Sequence, residues 1–175
     1  MSPIDRKEFQ KVLFRTAFCV MACDGHIDQR EIDEIKLMNK SASYFQGIDL
    51  SGELDVLLKD LKEKGKHFVD ELIINISLLD LSIIQELLIL EVAFRMIYAD
   101  AKVDENEIKF IRFLRSKLNL QDEIIRDRFG VVEYLFDKDY SKDIEKELVQ
   151  KDFFSTIAMP EYKDLELVDF SKFNE

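Results

Sequence analysis

The sequence predicts an all-α protein: a compact bundle of about seven to eight helices built around two pseudo-symmetric helix–loop–helix repeats. Three observations carry this. Apolar residues recur at i, i+3 or i+4 and i+7 through nearly every segment, the period of a helix with a buried face. Gly and Pro number only 5 and 2 in 175 residues, too few to punctuate a turn-rich β fold. One stretch of the chain also repeats another at a fixed offset. Hydrophobic residues make up 47%, enough for a real core and against disorder.

The first helix is expected from about Asp5 to Cys23, with Phe9, Val12, Leu13, Thr16, Ala17 and Val20 facing inward. Asp24-Gly25-His26-Ile27 breaks it, Gly being the residue that tolerates a left-handed turn after a helix. Asp28 then caps a second helix and Glu31, three residues on, completes a capping box. Ile32, Ile35, Met38 and Ala42 are its buried stripe. Gly47 and Ser51-Gly52 mark a loop, followed by helices over about Gly52 to Lys64 and Lys66 to Leu79, with Gly65 between them. Ser82 with Gln85 is a second box, opening a long helix to Ala99. Its polar residues Gln85, Glu86, Glu91 and Arg95 share no single face, so other helices should surround it. Asp104 with Glu107 is a third box, opening a helix through about Leu118, and two more helices are expected over Gln121 to Phe136 and Ser141 to Lys151. The division is a helical domain over 1–136 and a C-terminal helix with a docked tail over 137–175. Met159, Leu165, Leu167, Phe170 and Phe173 are expected to lie over an apolar groove.

Sliding the chain by 76 residues aligns Phe14–Ala42 with Leu90–Leu118 without a gap, and seven of the 29 pairs are identical. Each copy reads helix, Asp-[Gly/Ala]-x-[Ile/Val]-Asp-x-x-Glu, helix. Such units share one apolar register and can pack about a pseudo-twofold axis. One equivalent pair, Arg15 and Glu91, swaps charge, and an ion pair across that axis is the expectation.

The acidic loops invite comparison with a calcium site. In EF-hand register, Asp24, Asp28 and Glu31 fall at positions five, nine and twelve, but Val20 and Ala22 occupy the ligand positions one and three. One loop supplies about three carboxylates against the 6–8 oxygens that Ca2+ takes. The two loops together offer six, Asp24, Asp28, Glu31, Asp100, Asp104 and Glu107, as a shared site for Ca2+ or another divalent cation. Local helix capping is the competing account of four of them. Asp24 and Asp100, which capping does not need, decide between the two.

The net charge of −11 repels phosphate backbones, so no nucleic-acid partner is expected. Charged residues interrupt the apolar run from Leu72 to Ala99, which argues against a transmembrane segment. The opening residues lead directly into an amphipathic pattern, so no secretory signal and a cytoplasmic location are expected. Cys19, Cys23 and His26 lie close together, but a fourth ligand is missing unless His67 arrives from elsewhere; buried thiols are the simpler reading. No phosphate loop, nucleophile elbow or zinc helix is present, so no enzyme is expected, a metal-dependent hydrolase being the remote alternative.

The segments Ala22-Cys23-Asp24-Gly25-His26-Ile27-Asp28-Gln29-Arg30-Glu31 and Tyr98-Ala99-Asp100-Ala101-Lys102-Val103-Asp104-Glu105-Asn106-Glu107 resemble the TerB-like family of tellurite-resistance proteins, a domain type also found at the front of the co-chaperone DjlA. The resemblance covers about residues 5 to 136. It implies a helical bundle with an acidic patch, acting without catalysis within larger protein complexes. It further implies a link to tellurite and chemical stress, calcium as a ligand, and membrane association through partners. The six acids match the family's by position. The chain departs at Ala101, where Gly is usual, so the second loop is expected to differ in shape. Protein partners and a homo-oligomer are the associations this reading anticipates.

Overall fold

A helix with one apolar stripe buries one face, but a helix apolar all round must be enclosed. In α1 (Arg6–Cys23) every residue from Thr16 to Cys23 is 0% exposed, so its last two turns are enclosed on all sides. The computed structural model describes residues 4–23, 25, 28–41, 43–157 and 159. The neighbour that encloses α1 most closely is α5 (Ile83–Ala99), its counterpart in the second repeat. As the pattern of polar residues foretold, α5 is itself surrounded, with Ile89, Leu90, Val92, Ala93, Met96 and Ile97 all at 0% exposure.

The remaining helices close around this pair. α2 (Gln29–Ser41) packs on α5, and α6 (Glu105–Lys117) packs on α1, so each repeat's second helix covers the other repeat's first. α3 (Leu50–Lys64) and α4 (His67–Leu78) form a hairpin against α1, with α4 also touching α6. Phe68 of α4 meets Phe18 of α1 edge-on at 5.9 Å. α7 (Asp122–Phe129) follows, then a single 3-10 turn at Glu133–Leu135, then α8 (Asp143–Thr156) along the outer face of α6. Lys109 near the start of α6 reaches Thr156 at the end of α8, and Lys117 reaches Gln150, so the two helices run antiparallel.

Three element boundaries differ from the sequence reading. The single helix expected over Gln121 to Phe136 is broken at Gly130, whose φ of 77° ends α7 while its N–H bonds back to the Arg126 carbonyl. The last helix runs past Lys151 to Thr156 because Phe153 is fully buried against Phe113. The third helix begins at Leu50, two residues early, since Leu50 itself is buried. Among the described residues there is no strand, and no helix is long and apolar enough to cross a membrane. Met159 is partly buried against the core; the rest of the expected tail contact, Leu165, Leu167, Phe170 and Phe173, lies outside the described residues, as does Ala42.

One buried acid braces the far end of α5. The Glu86 carboxylate accepts from the Asn119 backbone N–H at 3.0 Å and from its side-chain amide at 3.3 Å. Burial pushes the Glu86 carboxyl above its ordinary value, and the bonds from Asn119 oppose that shift.

The two repeats are burdened unequally at one equivalent pair. Phe113 on α6 is enclosed by Phe153 and Phe154 of α8, at 4.9 and 5.8 Å, whereas Leu37 at the same place on α2 is 50% exposed. Replacing Phe113 by Ala should destabilise the fold by about 3–5 kcal/mol, the range for emptying a buried aromatic site. Leu37→Ala should cost under about 0.5 kcal/mol, as surface changes do. Urea denaturation of both variants checks the contrast, and equal losses would contradict this account of α8.

Candidate functional site

The two acidic elbows meet at one end of the bundle. Arg30, in the first turn of α2, bonds Asp28 through two nitrogens, Nε to Oδ1 at 3.0 Å and Nη2 to Oδ2 at 2.9 Å. The same Nη2 lies 3.1 Å from Oδ1 of Asp100, in the elbow of the second repeat. The carboxylates on either side hold the guanidinium proton more firmly than usual, the Asp28 bond contributing most. The cation seen bridging the elbows is therefore supplied by the chain itself.

The other acids are engaged in their own helix starts. Asp104 accepts from the Asn106 N–H at 2.7 Å, while Glu107, three residues on, accepts from the Asp104 N–H at 2.8 Å, which is a complete capping box on α6. The first repeat follows suit: Asp28 accepts from the Arg30 N–H at 2.7 Å and Glu31 accepts from the Asp28 N–H at 2.9 Å. Glu31 and Glu107 are each 2% exposed, so these carboxylates are buried with their backbone partners. Asp100 accepts from the Lys102 N–H at 3.2 Å. Asp24, which together with Asp100 decides between capping and a shared cation, lies outside the described residues, as does His26. Among the described residues no group of three or more His, Cys, Asp or Glu side chains is gathered as a metal site would require.

The departure at Ala101 has a structural counterpart. Gly25 turns with a φ of 79°, while Ser43 is the one non-glycine with positive φ among the described residues, so Ala101 turns without entering the left-handed region. The two elbows thus share their caps but not their backbone path.

The charge-swapped pair does not form an ion pair across the axis. Arg15 reaches Glu53 on α3 at 3.4 Å, and Glu91 reaches Arg128 on α7 at 2.9 Å. Each finds its opposite within its own half. Cys19 and Cys23 are buried thiols; burial pushes Cys19 upward, and Cys23 donates to the Val20 carbonyl at 3.3 Å. His67 lies against the Phe154 ring at 6.0 Å.

Sequence reasoning missed an open groove of about 420 Å³ between α2, α5 and α7. Its floor is apolar, with Phe94 against Phe129 at 5.0 Å, and Ala99 and Val132 beside them. Its walls are two ion pairs, Arg95 to Glu34 at 2.6 Å and Arg128 to Glu91 at 2.9 Å. Arg95 also lies over the ring of Tyr44 at 5.6 Å, and burial, with Glu91 beside it, pushes the Tyr44 phenol above its ordinary value. Tyr98, 55% exposed, stands at the rim, its hydroxyl 3.1 Å from that of Tyr134. Apolar floors with a few placed polar groups are what binding sites use. A signal for this groove existed in the sequence: buried Cys19 on α1 and Phe110 on α6 correspond to Arg95 on α5 and Glu34 on α2, so the seat between α2 and α5 stays open to water where that between α1 and α6 is enclosed.

No family model, no curated protein and no solved structure matches this chain.

The capping account separates from a cation account at Asp104. Asp104→Asn should leave stability within about 0.5 kcal/mol, because Asn caps as well as Asp, and Asp104→Ala should cost about 1 kcal/mol. Chemical denaturation distinguishes them; an Asn variant as damaged as the Ala variant would show that the charge matters for more than the cap.

Proposed function

We propose that this chain is a non-catalytic interaction module that works by holding protein partners. The groove between α2, α5 and α7 carries the reading. It is open, apolar at its floor, and its four charged side chains are committed to one another in pairs. That arrangement suits recognition, where apolar contact gives affinity and fixed charges give register. The resemblance of the elbows to the TerB-like family extends the proposal to a role in the response to tellurite or other chemical stress, exercised inside the cell through protein complexes. Membrane association, on this reading, comes through those partners.

A photo-crosslinking amino acid at position 98 in the native cell tests the module. A specific protein adduct is expected there and not from a probe at the exposed Ile144 on α8. Adducts that do not depend on the position would end the proposal.

The divalent-cation sensor is the reading that competes for the elbows. With Arg30 already bridging Asp28 and Asp100, calcium at millimolar concentration should leave the melting temperature unchanged. A rise of several degrees that vanishes in Asp28→Asn and Asp100→Asn would give the elbows to a cation instead.

A further inference from the structure

The duplication is larger than the elbow motif. α2 begins at residue 29 and α6 at 105; α4 begins at 67 and α8 at 143, the same 76 residues apart. The repeating unit is therefore four helices long, and α8 is the counterpart of α4. The two counterparts do not occupy equivalent places. α4 packs against α1 and α6, so symmetry would put α8 against α5 and α2. Instead α8 lies on the outer face of α6, where Phe153 and Phe154 meet Phe113, and it makes no comparable contact with α5 or α2.

The seat that α8 leaves empty is the groove. Phe94 at its floor is the counterpart of Phe18, on which Phe68 of α4 rests. Glu34 and Ala99 correspond to Phe110 and Cys23 on the occupied side. The first half thus displays what the second half's seat is shaped to hold: an amphipathic helix whose apolar residues follow the spacing of Phe68, Val69, Leu72, Ile73 and Ile76.

Charge fixes the occupant further. In the occupied seat, Arg15 shares a small cavity with Asp60 of α3 and Glu71 of α4, so the cation on α1 has an acid from the seated helix nearby. In the open seat the counterpart of Arg15 is Glu91, paired with Arg128 as Arg15 is paired with Glu53, and Glu34 on the opposite wall is paired with Arg95. The sign at that one position is reversed, and the whole chain carries −11, which draws in cationic partners and turns away acidic ones. We infer that the groove receives a basic amphipathic helix from a partner protein, apolar at the spacing of α4 and carrying Lys or Arg where α4 carries Glu71. This rests on the interaction-module reading and names the partner's chemistry.

The probe is a synthetic peptide of residues 66–79 of this chain, stapled across positions 74 and 78, which are exposed in α4. One version keeps the native sequence and one carries Glu71→Lys. Titrated into the isotopically labelled full chain, the Glu71→Lys peptide should saturate, shift resonances of Tyr98, Arg128 and Val132, and bind about tenfold more tightly than the native version. Exchanging the groove's ion pair in Glu91→Arg/Arg128→Glu should reverse that preference while keeping a pair in place. No shifts at millimolar peptide, shifts centred elsewhere, or a preference indifferent to the exchange would overturn the inference. Two further results in the free full chain would also overturn it. Nuclear Overhauser contacts from residues 160–175 to Phe94 or Tyr98 would give the groove to the chain's own end, and a dimer dissolved by Tyr98→Asp would give it to a second copy. Peptide failure alongside a position-98 adduct in cells would discard the helix and leave the module reading standing.

Discussion

Everything in this molecule depends on the mutual burial of α1 and α5. Eight consecutive residues at the end of α1 have no exposure at all, and no single partner helix can produce that. A helix facing one neighbour hides about a third of its circumference, so enclosure requires cover from several directions. The duplicated chain provides it by exchange, α6 covering α1 and α2 covering α5. Neither four-helix half encloses its own first helix without the other. The two halves therefore share one hydrophobic core.

The exchange also explains where symmetry fails. Enclosing α1 costs nothing in charge, since Cys19 and Phe110 are apolar. Enclosing α5 in the same way would bury Arg95 and Glu34, and desolvating an ion pair can outweigh its attraction. The second half leaves that side open to water, and its fourth helix is drawn elsewhere by the aromatic cluster of Phe113, Phe153 and Phe154. The groove is the visible consequence of Arg95 and Glu34 standing between α5 and α2 where Cys19 and Phe110 stand between α1 and α6.

Most of the fold was legible because the signals were local. The capping boxes at Ser82–Gln85 and Asp104–Glu107 form as the spacing required, and the helix over 105–117 begins where its cap placed it. The break at Gly130 was missed because Phe129, Val132 and Leu135 continue a helical rhythm across it; an apolar period survives one glycine that the backbone does not. The length of α8 was underestimated because Phe153 and Phe154 carry no helical signal of their own and are held there by Phe113 on another element. The groove was missed because its signal, Arg95 and Glu34 in place of Cys19 and Phe110, becomes a groove only once the helices are placed, which is a tertiary decision. Arg30 was overlooked in a motif read for its acids, although it is the residue that joins the two elbows.

The acids themselves follow from the architecture. Because α1 and α5 end side by side, α2 and α6 also begin side by side, and each helix N-terminus presents about half a positive charge with unpaired N–H groups. Two such ends brought together create a local demand for negative charge and for acceptors. Asp28 and Glu31 meet it on α2, and Asp104 and Glu107 meet it on α6. Four carboxylates against two half charges overshoot, and Asp100 adds a fifth. A guanidinium between the elbows offsets part of the excess, and Arg30 stands within 3.1 Å of both Asp28 and Asp100. The acid-rich end is thus a requirement of packing two capped helices together, and a bound cation would have to compete with the arginine that already answers it.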